Sequence, residues 1–188
     1  ITNMTLKIVL LLSILSNGIL GQTPSPPNPQ QFVITAGKPT GTAQLYVTTN
    51  YVDRYAGLFR IDVTNEGRLI EQAFYNVTAK LGYDIDYDQN PPKCAKTKEN
   101  YADMLAQWQT LPYSGKTMAI SQPGLECDMW NLTDQSYTWS YLASVKHNIP
   151  IEILDQSILI SVFRNYTVGP QVVPEKVFHL PIPEHTCK

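Results

Sequence analysis

Few side chains in this sequence carry charge: 16% of 188 residues, with 14 basic against 16 acidic. The cations form neither a patch nor a stripe, so the electrostatic footprint that nucleic acid requires is missing. Long apolar runs are also scarce. A membrane-spanning helix takes ~20 consecutive apolar residues, and the one strongly apolar stretch, near the start, is broken by Ser13, Ser16 and Asn17. The three histidines, His147, His179 and His185, are scattered without the spacing of a zinc site. There is no Gly-x-Ser-x-Gly turn, and neither the cysteines nor the histidines sit in a thiol-protease context. With no nucleophile, base and metal set in view, the chain reads as a protein that binds rather than catalyses. Cysteine is both rare and odd in number: Cys94, Cys127 and Cys187. One intrachain disulfide and one remaining thiol, either buried or linking two chains, is the simplest count.

What is present points to secretion. Lys7 precedes Ile8 to Leu12, and the apolar character runs on through Ile14, Leu15 and Leu20 to small residues at Ser16, Gly18 and Gly21. A cation, a short apolar core and small residues make a signal peptide over 1–21, cleaved after Gly18 or, preferably, Gly21. A buried core helix is the other reading of the same run. Three sequons agree with secretion: Asn76-Val77-Thr78, Asn131-Leu132-Thr133 and Asn165-Tyr166-Thr167. Residues 22–30 contain Pro24-Ser25-Pro26-Pro27-Asn28-Pro29 and read as an extended leader standing apart from any core. Residues 31–188 then form one domain.

Alternation of apolar and polar residues dominates that domain and signals half-buried strands. Ala43, Leu45, Val47 and Tyr51 share one parity, as do Phe59, Ile61 and Val63 against Arg60 and Asp62. Leu81, Tyr83, Ile85 and Tyr87 oppose Lys80, Asp84, Asp86 and Asp88. Tyr137, Trp139, Tyr141, Ala143 and Val145 oppose Thr138, Ser140 and Ser144, and Ile158, Ile160 and Val162 close the series. Parity with the Asn76 sequon turns Ala73, Tyr75 and Val77 inward and Phe74 outward. One short helix is expected over 98–109, where Tyr101, Leu105 and Trp108 fall at helical spacing. About ten strands with short connections make an antiparallel sheet bent over its own apolar face, or a barrel.

Several segments are telling together: Cys127-Asp128-Met129-Trp130, the aromatic run Tyr137 to Tyr141, the turn His147-Asn148-Ile149-Pro150, and the strand rising into Ile158 to Phe163. Val177-Phe178, Pro181, Pro183 and Cys187 end the chain, and Tyr83-Asp84-Ile85-Asp86 leads upstream to Cys94. This pattern resembles the ependymin-related proteins and, more loosely, the LolA/lipovitellin-like half-barrels. A similar non-catalytic domain precedes the papain-like peptidase in some protist proteins. The resemblance implies a mainly β fold: a curved antiparallel half-barrel with an apolar concave face and one short helix. It also implies secreted glycoproteins linked to lipid binding, calcium binding and cell–matrix adhesion, and a disulfide between Cys94 and Cys187. The chain departs from the family in having fewer cysteines, which leaves Cys127 without a mate.

The candidate apolar pocket is lined by Leu81, Tyr83, Ile85, Tyr137, Trp139, Tyr141, Ile158, Ile160 and Val162; the alternative is a core filled by these same side chains. Tyr and Trp suit a partly wet wall, since each has a polar tip. Asp84, Asp86 and Asp88 invite a calcium reading, but an EF-hand needs Gly and Glu where Gln89 and Ala95 stand. Alternate residues on a strand lie ~6.8 Å apart, so a solvated face is preferred, with weak calcium binding alongside Glu99 or Asp103 as the alternative. The expected function is lipid or other hydrophobic-ligand binding without a resident cofactor. The alternatives are an adhesion glycoprotein that meets matrix or a second copy of itself, by calcium or by a Cys127-linked dimer, and an accessory domain of a secreted peptidase precursor.

Overall fold

A computed structural model of the chain describes residues 24–27, 29–37, 46–97, 111–134 and 137–188. The signal segment over 1–21, Ala43, Leu45, Glu99, Asp103 and the helix expected over 98–109 lie outside the described residues.

Among the described residues eleven strands form one sheet. They are β1 (Gln31–Gly37), β2 (Tyr46–Asp53), β3 (Leu58–Asn65), β4 (Arg68–Asn76), β5 (Leu81–Asp86) and β6 (Lys93–Thr97), followed by β7 (Tyr113–Met118), β8 (Glu126–Asp134), β9 (Tyr137–Ser144), β10 (Pro150–Asp155) and β11 (Ile158–Val168). The order across the sheet is β6-β5-β4-β3-β2-β1-β11-β10-β9-β8-β7. Two antiparallel meanders are thus joined where β11 returns to β1, with Phe32 opposite Val168 and Gly37 opposite Val162. The sheet is curved and remains open, with β6 and β7 as its edges. The mainly β, curved antiparallel class expected from the alternation is the one found.

Turn chemistry sets the registers. Between β3 and β4 the two-residue loop Glu66-Gly67 has φ of 51° and 79°. Between β10 and β11 the loop Gln156-Ser157 has φ of 47° and 71°. Two consecutive left-handed residues fit the right-handed twist of a tight hairpin. Gly67 takes that conformation without strain, whereas Gln156 and Ser157 do not.

One face, here called inner, carries a cluster that reaches from β4 to β8. Phe32, Ile34, Val52, Phe59, Ile61, Ala73, Tyr75, Trp130, Tyr141, Ile153 and Phe163 are all buried in it. Ala73 and Tyr75 point inward as their parity requires, with Val77 packed beside them. Phe74 faces the other way but is not exposed. It is buried with Tyr83, Ile85 and Cys187 under the segment that follows β11, where Leu180 and Ile182 pack against it.

That segment binds the outer face of the first meander at four points. Cys187 is disulfide-bonded to Cys94, 93 residues away in sequence. Arg60 forks onto Asp62 through two 2.7 Å bonds and donates a third to the Val177 carbonyl at 2.8 Å. The Tyr83 hydroxyl donates to Glu184 at 2.5 Å. Lys188 exchanges backbone hydrogen bonds with β6, accepting from Lys96 and donating to Cys94. The disulfide is therefore the pair that the resemblance implied.

Several facing expectations are corrected. In β2 the inner residues are Thr48, Asn50 and Val52, while Val47 and Tyr51 face outward and Tyr51 lies under the Arg60 guanidinium. In β5 the alternation is right and the direction inverted. Asp84 lies opposite Ala73, so the acidic residues share the inner face, while Leu81, Tyr83 and Ile85 pack outward under the following segment. In β11 a bulge opposite Ile153 and Leu154 breaks the alternation. Ile160 consequently joins the inner cluster, and Val162 lies opposite Glu152 on the outer face. The proline-rich segment does not stand apart either: Pro26 and Pro27 are buried, and the Trp130 indole N–H donates to the Pro24 carbonyl at 2.9 Å.

Candidate functional site

The inner face of the second meander is built from aromatic side chains supplied by β7, β8, β9 and β11. Tyr113 meets Trp130 edge-on with centroids 5.9 Å apart, Trp130 meets Tyr141 at 5.7 Å, and Tyr141 meets Phe163 at 6.5 Å. Across β11 and β1, Tyr166 tilts against Phe32 at 6.2 Å. Ring pairs at these separations add to the stabilisation that their buried area provides.

Polar atoms interrupt this wall at defined places. The Tyr141 side chain is buried, and its hydroxyl has no hydrogen-bond partner among the described residues. Burial pushes its ionisation far above the ordinary tyrosine range. On β2, the Asn50 amide nitrogen reaches the Ile34 carbonyl at 3.4 Å, while Asn50 Oδ1 is buried without a partner among the described residues. Burial also raises the Tyr166 hydroxyl and lowers the Arg54 guanidinium to about 10, the nearby Tyr166 acting against that fall. A buried polar atom without a partner costs ~1–3 kcal/mol, so the inner face holds unmet hydrogen-bonding capacity.

The far end of the same face is acidic. Glu71 lies opposite Asp86, and Asp84 accepts a 2.7 Å hydrogen bond from Tyr75. Burial first, then the charges of Asp84 and Asp86, raise the Glu71 carboxyl to about 7. Asp88 is turned away and paired with Arg68. Among the described residues no three His, Cys, Asp or Glu side chains are grouped so as to hold a metal ion. Asp84 and Asp86 thus act together on Glu71, while Asp88 pairs with Arg68.

The nine pocket residues read from the sequence divide between two faces. Trp139, Tyr141 and Ile160 belong to the inner cluster. Leu81, Tyr83 and Ile85 line the outer cluster, Val162 sits across from Glu152, and Ile158 is 68% exposed at the β10–β11 hairpin. Tyr137 lies opposite Asp134 at the start of β9. Trp130, Asn50, Arg54 and Glu71 were missed as site residues. Trp130 carried a signal in its aromatic neighbours, but the parity read for β2 was that of Val47 and Tyr51 and passed over Asn50.

Cys127 is fully buried on the outer face of the second meander with Leu142 and Ile151. Burial, reinforced by Glu152, raises its thiol to about 11. A thiol so enclosed and protonated cannot form the interchain bridge considered above without local opening. Beside it Glu152, 0% exposed, accepts backbone hydrogen bonds from Ile120 at 2.7 Å and Ser121 at 2.8 Å. This buried carboxylate pins the β7–β8 connection, and two N–H donors are what its burial requires. Of the three sequons, Asn165 is exposed, while Asn76 and Asn131 are half-buried and accept hydrogen bonds from Ala79 and Ser140.

No family model matches the chain, and no curated protein matches it. Among solved structures, the chain is similar to an uncharacterized conserved protein from Thermus thermophilus, with a TM-score of 0.57 and 9% identity over 85% of this chain and 89% of that one. This likeness concerns the fold alone. A weaker likeness, TM-score 0.47 and 9% identity, is to PNGF-II, of which this chain spans 29% of the length. Among the described residues no helix is long and apolar enough to cross a membrane.

Proposed function

We propose that this chain is a secreted, ependymin-like glycoprotein that binds a lipid or other hydrophobic molecule on the inner face of its open sheet, without catalysis. One observation supports the reading: an aromatic wall shared by four strands of a sheet that does not close into a barrel contains a buried tyrosine hydroxyl that no described residue satisfies. A ligand with an apolar body and one polar atom would bury the first against Tyr141, Trp139 and Phe163 and meet the hydroxyl with the second. Burial of apolar ligand surface yields ~25 cal/mol per Å² before the costs of association. The disulfide fits an oxidising compartment, and it is the bridge that the ependymin resemblance implies.

Native mass spectrometry of the secreted, deglycosylated protein, followed by solvent extraction, tests the reading. A co-purifying lipid-sized mass that extraction removes is the expected result. A protein that carries nothing and also fails to take up fatty acids, phospholipids or sterols when loaded would sink it.

A further inference from the structure

The same aromatic wall contains a second feature that does not depend on a lipid ligand. Trp130 is 1% exposed, so its indole N–H needs a partner inside the protein. That partner is the carbonyl of Pro24, at 2.9 Å, from a segment seven residues upstream of β1. Two residues further on, Pro26 and Pro27 are buried as well. The root of the segment is fastened too, because the Gln30 carbonyl accepts from the Arg54 backbone at 2.9 Å.

The distance suits an extended chain. Four strand spacings separate β1 from β8, ~19 Å along the sheet, and seven residues in a polyproline conformation span ~22 Å. Proline fits such a seat for physical reasons. Its φ is already fixed, a following proline holds Ser25 and Pro26 extended, and burying it forfeits no rotamer freedom. It also brings no N–H of its own that would need a partner in an apolar setting. An indole donor aimed at a peptide carbonyl in an aromatic surround is how proline-rich segments are recognised elsewhere.

We propose that the Tyr113–Trp130–Tyr141 row is a binding site for an extended, proline-rich peptide, and that residues 24–27 of the chain itself are its occupant. The segment is then a tethered ligand, and displacing it opens the Trp130 end of the inner face.

The test uses the full chain with 15N-labelled tryptophan and follows hydrogen exchange of the Trp130 indole N–H. Pro26→Gly with Pro27→Gly should speed that exchange at least tenfold. A capped synthetic peptide spanning residues 23–30 should restore protection saturably, whereas the same peptide with glycine at 26 and 27 should not. In the unaltered chain the peptide should shift the Trp130 resonance only at much higher concentration, since the tethered segment competes at an effective concentration near millimolar. Unchanged exchange in the folded double variant overturns the proposal. So does a peptide that shifts Trp130 neither in the variant nor, in large excess, in the unaltered chain.

Discussion

Replacing Tyr141 by Phe removes a single oxygen from a buried part of the inner face. The ring itself is held by Trp130 at 5.7 Å and Phe163 at 6.5 Å, contacts that Phe reproduces. The oxygen has no hydrogen-bond partner among the described residues and is buried. Folding therefore strips water from the hydroxyl and returns nothing, a penalty of ~1–3 kcal/mol. In ligand-free protein the substitution should raise stability by about 1–2 kcal/mol, equivalent to ~2–8 °C in Tm for a domain of this size. With ligand bound, the sign reverses. A neutral hydrogen bond contributes ~0.5–1.5 kcal/mol, so Tyr141→Phe should weaken binding roughly 2- to 12-fold. Urea denaturation of solvent-extracted protein, followed by tryptophan fluorescence, measures the first effect, and titration with the extracted ligand measures the second. A variant less stable than the parent by ~1 kcal/mol or more would show that the hydroxyl is already satisfied, and would remove the main support for a ligand at that position.

Three further outcomes follow from named residues. Reducing the disulfide, or replacing Cys94 and Cys187 together by Ser, should cost roughly 4–5 kcal/mol in the chain-entropy model for a loop of this length; a change below ~1 kcal/mol in urea midpoint analysis would mean that the contacts under Leu180 and Ile182 hold the segment unaided. Glu71, raised to about 7 when folded, retains a proton that the unfolded chain loses near its ordinary value of 4.5. Stability should accordingly fall as pH rises from about 4.5 through 7, and Glu71→Gln should flatten that decline in thermal melts. Ser157→Gly should add up to ~1 kcal/mol, because glycine adopts the left-handed φ of 71° without strain; a lower Tm would refute the assigned turn.

The strands, their antiparallel class and most hairpin positions were legible because alternation and turn residues are local signals. Glu66-Gly67 marks its hairpin in the sequence, whereas Gln156-Ser157 does not, since neither residue favours a positive φ. The bulge in β11 was not legible. It depends on pairing with β10, and without it Ile158, Ile160 and Val162 read as one face. The buried leader was hidden for a related reason: proline density reports extension, and only the Trp130 indole in another part of the sheet turns that extension into a contact.

The inversion at β5 has a different origin. Alternation states which residues share a face; it carries no sign that tells inner from outer. The usual assumption, that the apolar face is inner, fails here because the first meander is covered on both sides. The segment after β11 supplies Leu180, Ile182 and Cys187 to bury Phe74, Tyr83 and Ile85 from outside. With that outer burial in place, the inner edge of β4 and β5 is free to carry Glu71, Asp84 and Asp86. The same division explains Gly82, whose missing side chain leaves room for the Tyr75 ring and the Thr97 methyl: a Cβ there would stand 2.5 Å from Tyr75 Cδ1 and 2.4 Å from Thr97 Cγ2. Tyr75 thus lies over β5 and reaches Asp84 with its hydroxyl, where any larger residue at position 82 would push it aside. Gly82→Ala should therefore destabilise by ~1–3 kcal/mol through overpacking, and a neutral urea midpoint would show that the Tyr75 ring and Thr97 are free to move aside.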